Sequence, residues 1–350
     1  DCGGGTVDLV SHQEDPKDPT KLREVARGSG GMCGGTFVDD RFLKFLLNAV
    51  PVAKKFFENE PVAFVRVLAK WEAEKRNFKG DAPIRIDLPS KLERLWQKEL
   101  ESQGKEDEAD ELDGLELSVS NLKFIFDPVV DDIIKLIYDQ YQELLQKGFN
   151  QSSISMYLVG GFSDSKYLAQ RIKTRFAKDF KTIYTPPQPG SSILQGAVMY
   201  GLDPSRFSLR ISRRTYGVAC EDKFEEKVHD ASRMFINENG NKKVRIFSRF
   251  VQTGDEVPTG KTVEKTFYPV TRDQQSVLFT VLSSPKVKPM YHKEADVTVE
   301  TSVNLPLPGS GLDRKITVKF VFGNTTFEMQ AVDPRTGDCR RVDVAFNRGI

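Results

Sequence analysis

Long apolar runs, paired cysteines and clustered histidines are all missing from this chain, and each absence narrows what it does. No stretch approaches the roughly 18 consecutive apolar residues of a helical membrane span, so none is expected. The four cysteines, Cys2, Cys33, Cys220 and Cys339, lie far apart without a Cys-x-x-Cys pair. That spacing excludes the usual zinc sites and fits a reducing, cytoplasmic compartment. The three histidines, His12, His229 and His292, sit beside no nucleophile motif, which argues against a histidine-based triad. A net charge of +1 supplies no strong field for nucleic acid or an anionic membrane. With 350 residues, 39% hydrophobic and 29% charged, the chain has room for two or three ordinary globular domains. It begins with Asp1 inside a motif, not with Met, and is expected to be a piece of a longer protein.

What the chain does have is concentrated at its start. Asp1-Cys2-Gly3-Gly4-Gly5-Thr6-Val7-Asp8 removes three successive Cβ atoms. Backbone amides of such a run turn inward and cradle phosphate oxygens. The Thr6 hydroxyl adds a donor. Asp1 and Asp8 bracket the loop as carboxylates that hold Mg²⁺ through its waters. Taken alone, the run also reads as a hairpin turn with two solvated aspartates.

Beyond it, residues 6–12 and 22–27 read as a hairpin. A second glycine cluster, Gly28 to Gly35, precedes a helix for which Asp39 or Asp40 is the expected cap. Pro61 opens a helix with Val62, Val65, Leu68 and Trp71 on its expected buried face. Residues 91–113 are highly charged and read as a solvated helix and loop. Residues 128–147 form an amphipathic helix. The strand Ser155 to Val159 leads through Gly160-Gly161 to a helix capped by Ser163 or Asp164. A last helix runs from Ser191 to Tyr200. After Asp203-Pro204 helical periodicity fades, and seven short alternating segments, the last from Val342 to Phe346, predict a β-sandwich.

Four features then belong together: Asp1 to Asp8; Gly34-Gly35 ahead of a helix; Glu72, Lys75 and Arg76 on one helical face; and Leu158-Val159-Gly160-Gly161-Phe162, a strand entering a helix N-terminus. A carboxylate beside two cations suits ribose and a nucleobase, though the same trio is common on solvated faces. In order and spacing these motifs resemble the nucleotide-binding domain of the 70-kDa heat-shock chaperone family, in the actin and sugar-kinase superfamily. Asp1 to Asp8 is similar to that family's Asp-Leu-Gly-Gly-Gly-Thr-Phe-Asp. Cys33 to Asp39 resembles its Leu-Gly-Gly-Glu-Asp-Phe-Asp, and Glu72-x-x-Lys75-Arg76 its adenosine-holding Glu-x-x-Lys-Arg. Ile193 to Ala197 resembles its final Gly-Ala helix. Further on, Thr215 to Val218, Glu256 to Thr259 and Phe327 to Gly337 resemble the opening, a strand pair and a hairpin of its substrate-binding domain.

The resemblance implies an α/β then all-β chain: the second lobe of an actin-like (ribonuclease H-like) ATPase over residues 1–203, with a peripheral subdomain inserted at about 40–122. A linker at 204–214 and a β-sandwich over 215–350 without a helical lid would follow. It implies ATP or ADP with Mg²⁺ as ligands. Asp1, Thr6 and Asp8 would stand at the reacting phosphate, Asp1 and Asp8 on the hydrated metal. Gly3, Gly4, Gly5, Thr6, Gly34, Gly35, Glu72, Lys75, Arg76, Gly160, Gly161 and Phe162 would line the nucleotide. Unfolded polypeptides are the implied clients, co-chaperones further partners, and weak ATP hydrolysis the implied reaction. The isolated chain is expected to be inactive, since the family's first phosphate loop matches nothing here. Two departures stand out: the adenosine turn ends Phe162-Ser163-Asp164 where the family has Ser-Thr-Arg, and the leucine-rich linker is replaced by Asp203 to Arg210. Phe162 is a substitute contact for the base on this reading. A nucleotide-binding adaptor without turnover and a small-molecule kinase of the same superfamily are the alternatives.

Overall fold

The computed structural model describes residues 1–238, 240–323 and 326–345. Its chain divides into two compact units. Residues 1–9 and 29–201 make the first, and residues 10–28 join residues from 202 onward in the second.

The first unit is mixed α/β. Strands β1 (Val7–Asp15) and β2 (Asp18–Gly31) begin and end in it, longer than the sequence predicts. Helix α1 (Gly35–Ala49) starts at the second glycine cluster, with Gly34 as its cap. Asp39 and Asp40 therefore lie inside the helix and cap nothing. Helices α2 (Ala53–Asn59) and α3 (Pro61–Asn77) follow. α3 opens at Pro61 as expected, but it buries Val67, Trp71 and Lys75, while Val62 and Val65 face solvent. The indole of Trp71 stacks on Phe42 at 4.0 Å and fixes that register.

Strands β3 (Ile84–Ile86) and β4 (Leu115–Leu117) pair antiparallel. Between them stand α4 (Ser90–Ser102) and α5 (Glu106–Asp110), the charged stretch. Helix α6 (Val119–Gln146) starts well before the expected 128 and runs through Pro128. A capping box between Ser118 and Asn121 nucleates it, and the apolar face set by Leu122, Phe126, Ile133 and Ile137 outweighs the hydrogen bond that proline removes. Strand β5 (Ser155–Tyr157), α7 (Lys166–Arg175), β6 (Thr182–Tyr184) and α8 (Pro189–Leu202) complete the unit. Strands β5 and β6 pair in parallel. The cap of α7 is Ser165, whose hydroxyl accepts from the Leu168 amide, not Ser163 or Asp164.

The second unit is all β apart from short turns. The stretch 204–214, read as a linker, holds β7 (Phe207–Ile211), parallel to β2 and antiparallel to β11 (Glu256–Pro258). Five strands follow in the order β14 (Thr298–Pro306), β13 (Ser276–Ser284), β8 (Thr215–Lys223), β10 (Lys242–Val251), β9 (Met234–Ile236). A four-stranded sheet is ordered β12 (Thr262–Phe267), β15 (Ile316–Phe322), β16 (Thr326–Val332), β17 (Cys339–Ala345). Alternate residues of both sheets, among them Val218, Phe250, Val281, Val318, Phe320 and Met329, share one core. Each of the seven expected segments falls on a strand, although Phe346 lies outside the described residues. Strand β8 shows no clean alternation in the sequence, because Gly217 interrupts it. That glycine is required, since a Cβ there would stand 2.3 Å from Ser248 O.

Candidate functional site

Residues 1–8 fold as a tight hairpin. Gly3 N–H donates to Thr6 O (2.9 Å), Cys2 pairs with Val7, and Asp8 N–H donates to Asp1 O (2.8 Å). Gly4 and Gly5 are its two-residue tip. Cross-strand pairing puts the Asp1 and Asp8 carboxylates on one face of the ribbon. The hairpin reading is thus correct as geometry, but Cys2 and Val7 are buried, so the ribbon is docked and not free.

Two other loops hold it. The amides of Gly34, Gly35 and Thr36 donate to the carbonyls of Gly5 (3.2 Å), Gly3 (3.1 Å) and Gly4 (2.9 Å), and the Thr36 hydroxyl also reaches Gly4 O (2.9 Å). On the other side Cys2 N–H donates to Val159 O (2.7 Å) and Phe162 N–H to Cys2 O (2.9 Å). A Cβ at Gly34 would stand 2.3 Å from Gly4 O, and one at Gly160 2.2 Å from the Asp1 carboxylate, where φ is already +93°. Both glycines are demanded by close approach. Gly5 and Gly161 differ: nothing lies within 4 Å of a Cβ added at either. The three glycines of the run are also unequal. Gly3 spends its amide on Thr6, whereas among the described residues the amides of Gly4, Gly5 and Thr6 donate to no protein acceptor. The Thr6 hydroxyl donates to Asp8 Oδ2 at 3.2 Å. Burial pushes the thiols of Cys2 and Cys33 up, Cys33 to about 11, so neither is a nucleophile here.

Glu72, Lys75 and Arg76 sit in the last turns of α3. Glu72 bridges Lys75 (2.5 Å) and Arg76 (2.8 Å). Burial alone would raise the Glu72 carboxyl, but hydrogen bonds from the two cations outweigh it and hold it below the usual range. Lys75 also binds Asp39 Oδ1 (2.7 Å), which accepts from Trp71 Nε1 (2.8 Å). With its side chain only 7% exposed, Lys75 is a structural cation that orients Glu72, while Arg76 reaches outward at 57%. Asp39, expected as a helix cap, instead holds Lys75 and Trp71, a role that depends on α1 lying against α3. Lys166, just after the third loop, donates to Asn77 Oδ1 at 3.1 Å, which places that loop beside the end of α3, where Asp164 bears electrostatically on Arg76. Phe162 takes a different position from the one expected. It is 5% exposed, with its ring against Gly35, so it packs in the core and presents no face to a base.

The three loops and Arg76 therefore form one neighbourhood of backbone donors with two carboxylates at its edge. Among the described residues no group of three or more His, Cys, Asp or Glu side chains could hold a metal ion directly. Two carboxylates acting through water remain compatible with that. No described helix is long and apolar enough to cross a membrane.

No family model matches the chain. It is 28% identical over 364 residues to heat shock 70 kDa protein 12A of Mus musculus, and 27% identical to that of Homo sapiens. To heat shock 70 kDa protein 12B of Homo sapiens it is 26% identical over 378 residues. Each match takes in 99% of this chain and 53% of the relative, so the chain spans about half the length of the curated relatives it matches. Along nearly its whole length the chain is thus similar to heat shock 70 kDa proteins 12A and 12B.

Proposed function

We propose that the hairpin tip binds the phosphates of an adenine nucleotide, and that this chain contributes one actin-like lobe and one polypeptide-binding sandwich to a heat-shock-70-like chaperone. A single observation carries the reading. The tip exposes the amides of Gly4, Gly5 and Thr6 without a protein acceptor, and packing within the chain gives no reason for glycine at position 5. A ligand approaching the backbone supplies that reason. On this reading those amides take phosphate oxygens, Asp1 and Asp8 hold the waters of Mg²⁺, and Arg76 with Glu72 and the Gly160-Gly161 turn faces the nucleoside. Bound Mg²⁺ would supply charge neutralisation at the phosphates. Lys75 keeps Glu72 in place. The family name of the relatives supports the chaperone assignment, with unfolded polypeptides as clients, co-chaperones as partners and the cytoplasm as compartment. Turnover is proposed for a longer protein that includes the second lobe.

A second reading, a nucleotide-binding adaptor without turnover, draws on Asp164. A carboxylate beside Arg76 cannot stack on adenine as a guanidinium does. Calorimetric titration of Mg·ADP into the longer protein with both lobes, then steady-state phosphate release, separates the two. Saturable binding with turnover supports the chaperone ATPase, binding without turnover supports the adaptor, and no binding removes both.

A further inference from the structure

A separate surface lies on the helical excursion between β3 and β4. These two strands form a short hairpin whose connection, residues 87–114, carries α4 and α5. Helix α4 buries Leu92 and Leu100 on one side. Its opposite face aligns Lys91, Arg94, Leu95 and Lys98 at helical spacing around an open cavity of about 380 Å³. Leu95 is 41% exposed in the middle of the three cations.

Neighbouring surface cations are neutralised. Lys70 binds Asp87, Arg85 binds Asp113, Lys105 binds Glu108 and Lys91 binds Glu60. Among the described residues Arg94 and Lys98 have no acidic partner within ion-pair distance. An apolar anchor with two unpaired cations beside it, Lys91 being already paired, fits a partner whose carboxylates flank an apolar side chain.

We propose that this face of α4 docks an acidic, amphipathic polypeptide segment, its carboxylates on Arg94 and Lys98 and its apolar side chain on Leu95. The patch is small, so the contact is weak, transient and salt-sensitive. The site is independent of the nucleotide reading.

The test is fluorescence anisotropy of the whole chain with a fluorescein-labelled helical peptide of Glu-Glu-Leu-Leu repeats. The expected result is saturable binding that weakens with added salt. Two exposed pairs reversed in sign should weaken it roughly tenfold in Arg94→Glu/Lys98→Glu. Leu95→Ser should weaken it as well. A peptide with lysine in place of glutamate should bind the doubly reversed variant better than the native chain, a gain that a misfolded variant could not give. No saturable binding, an unchanged affinity in either variant, or preference for phosphatidylserine vesicles or a single-stranded oligonucleotide over the acidic peptide would overturn the proposal.

Discussion

Replacing Gly34 by alanine tests the interlock of the loops without touching any functional group. Gly34 has φ −77° and ψ −176°, a conformation open to alanine, so its backbone preference is not the obstacle. The obstacle is space. The added methyl would stand 2.3 Å from Gly4 O, 2.5 Å from Gly4 C and 2.7 Å from Gly3 O, all backbone atoms of the hairpin tip. Nothing flexible can yield there, so either the tip or the start of α1 must move. That movement stretches the hydrogen bonds from Gly34, Gly35 and Thr36. Overpacking of this kind costs typically about 1–3 kcal/mol. In a unit of this size each kcal/mol lowers the melting temperature by roughly 2–4 °C. Differential scanning calorimetry should therefore show Gly34→Ala melting clearly below the native chain, while Gly5→Ala, with open space around its Cβ, melts with it. Equal melting of Gly34→Ala and the native chain would refute the close approach on which the site is built.

Other substitutions separate structural from functional roles. Arg76→Ala removes an exposed pair worth at most about 1 kcal/mol, so calorimetric stability should hardly change. Nucleotide affinity of the longer, nucleotide-competent protein should nevertheless fall about ten- to a hundred-fold by titration calorimetry. Lys75→Met should instead lower stability. It leaves Asp39 partly buried without its cation, costing roughly 3 kcal/mol and lowering the melting temperature. In the sandwich, the half-buried Lys265 ammonium lies over the Phe250 ring and donates to the Ser248 hydroxyl at 3.3 Å. Burial pulls its pKa below the ordinary lysine range, so the protonated form opposes folding. Lys265→Met should melt higher at neutral pH, and the gap should narrow as pH rises into that range and the native lysine loses its proton. Arg314 is 2% exposed and donates to the carbonyls of Gly311, Gln274, Leu307, Gly309 and Arg272. Arg314→Ala should cost the second unit more than about 3 kcal/mol in chemical denaturation, because those acceptors lose their donor inside the fold.

Elements with an uninterrupted period were legible from sequence. Seven strands of the second unit and the positions of α3, α7 and α8 follow from alternation, Pro61 and the glycine turns, whereas the central strand β8 does not. Errors arose where tertiary contacts decide. Val62 and Val65 fit a helical stripe as well as Val67 does, and only the stacking of Trp71 on Phe42 selects the face. Pro128 looked like a helix start, but Ser118 and Asn121 had already nucleated the helix. In the candidate site, the glycines announced a loop that something approaches closely. They did not reveal that Gly34 and Gly160 are occupied by the chain's own backbone, which leaves Gly4 and Gly5 open. The inward turn of Phe162 and the salt bridge of Asp39 with Lys75 depend on partners more than thirty residues away, which no local pattern encodes.

The central claim is that the hairpin tip holds a nucleotide's phosphates, and titration of Mg·ADP into the protein containing both lobes tests it most directly. The account predicts saturable binding that needs Mg²⁺, weakens in Asp8→Asn and weakens in Gly5→Val, where a side chain would fill the open space over the tip without a clash inside the chain. Absence of binding, or binding indifferent to both substitutions, would contradict it.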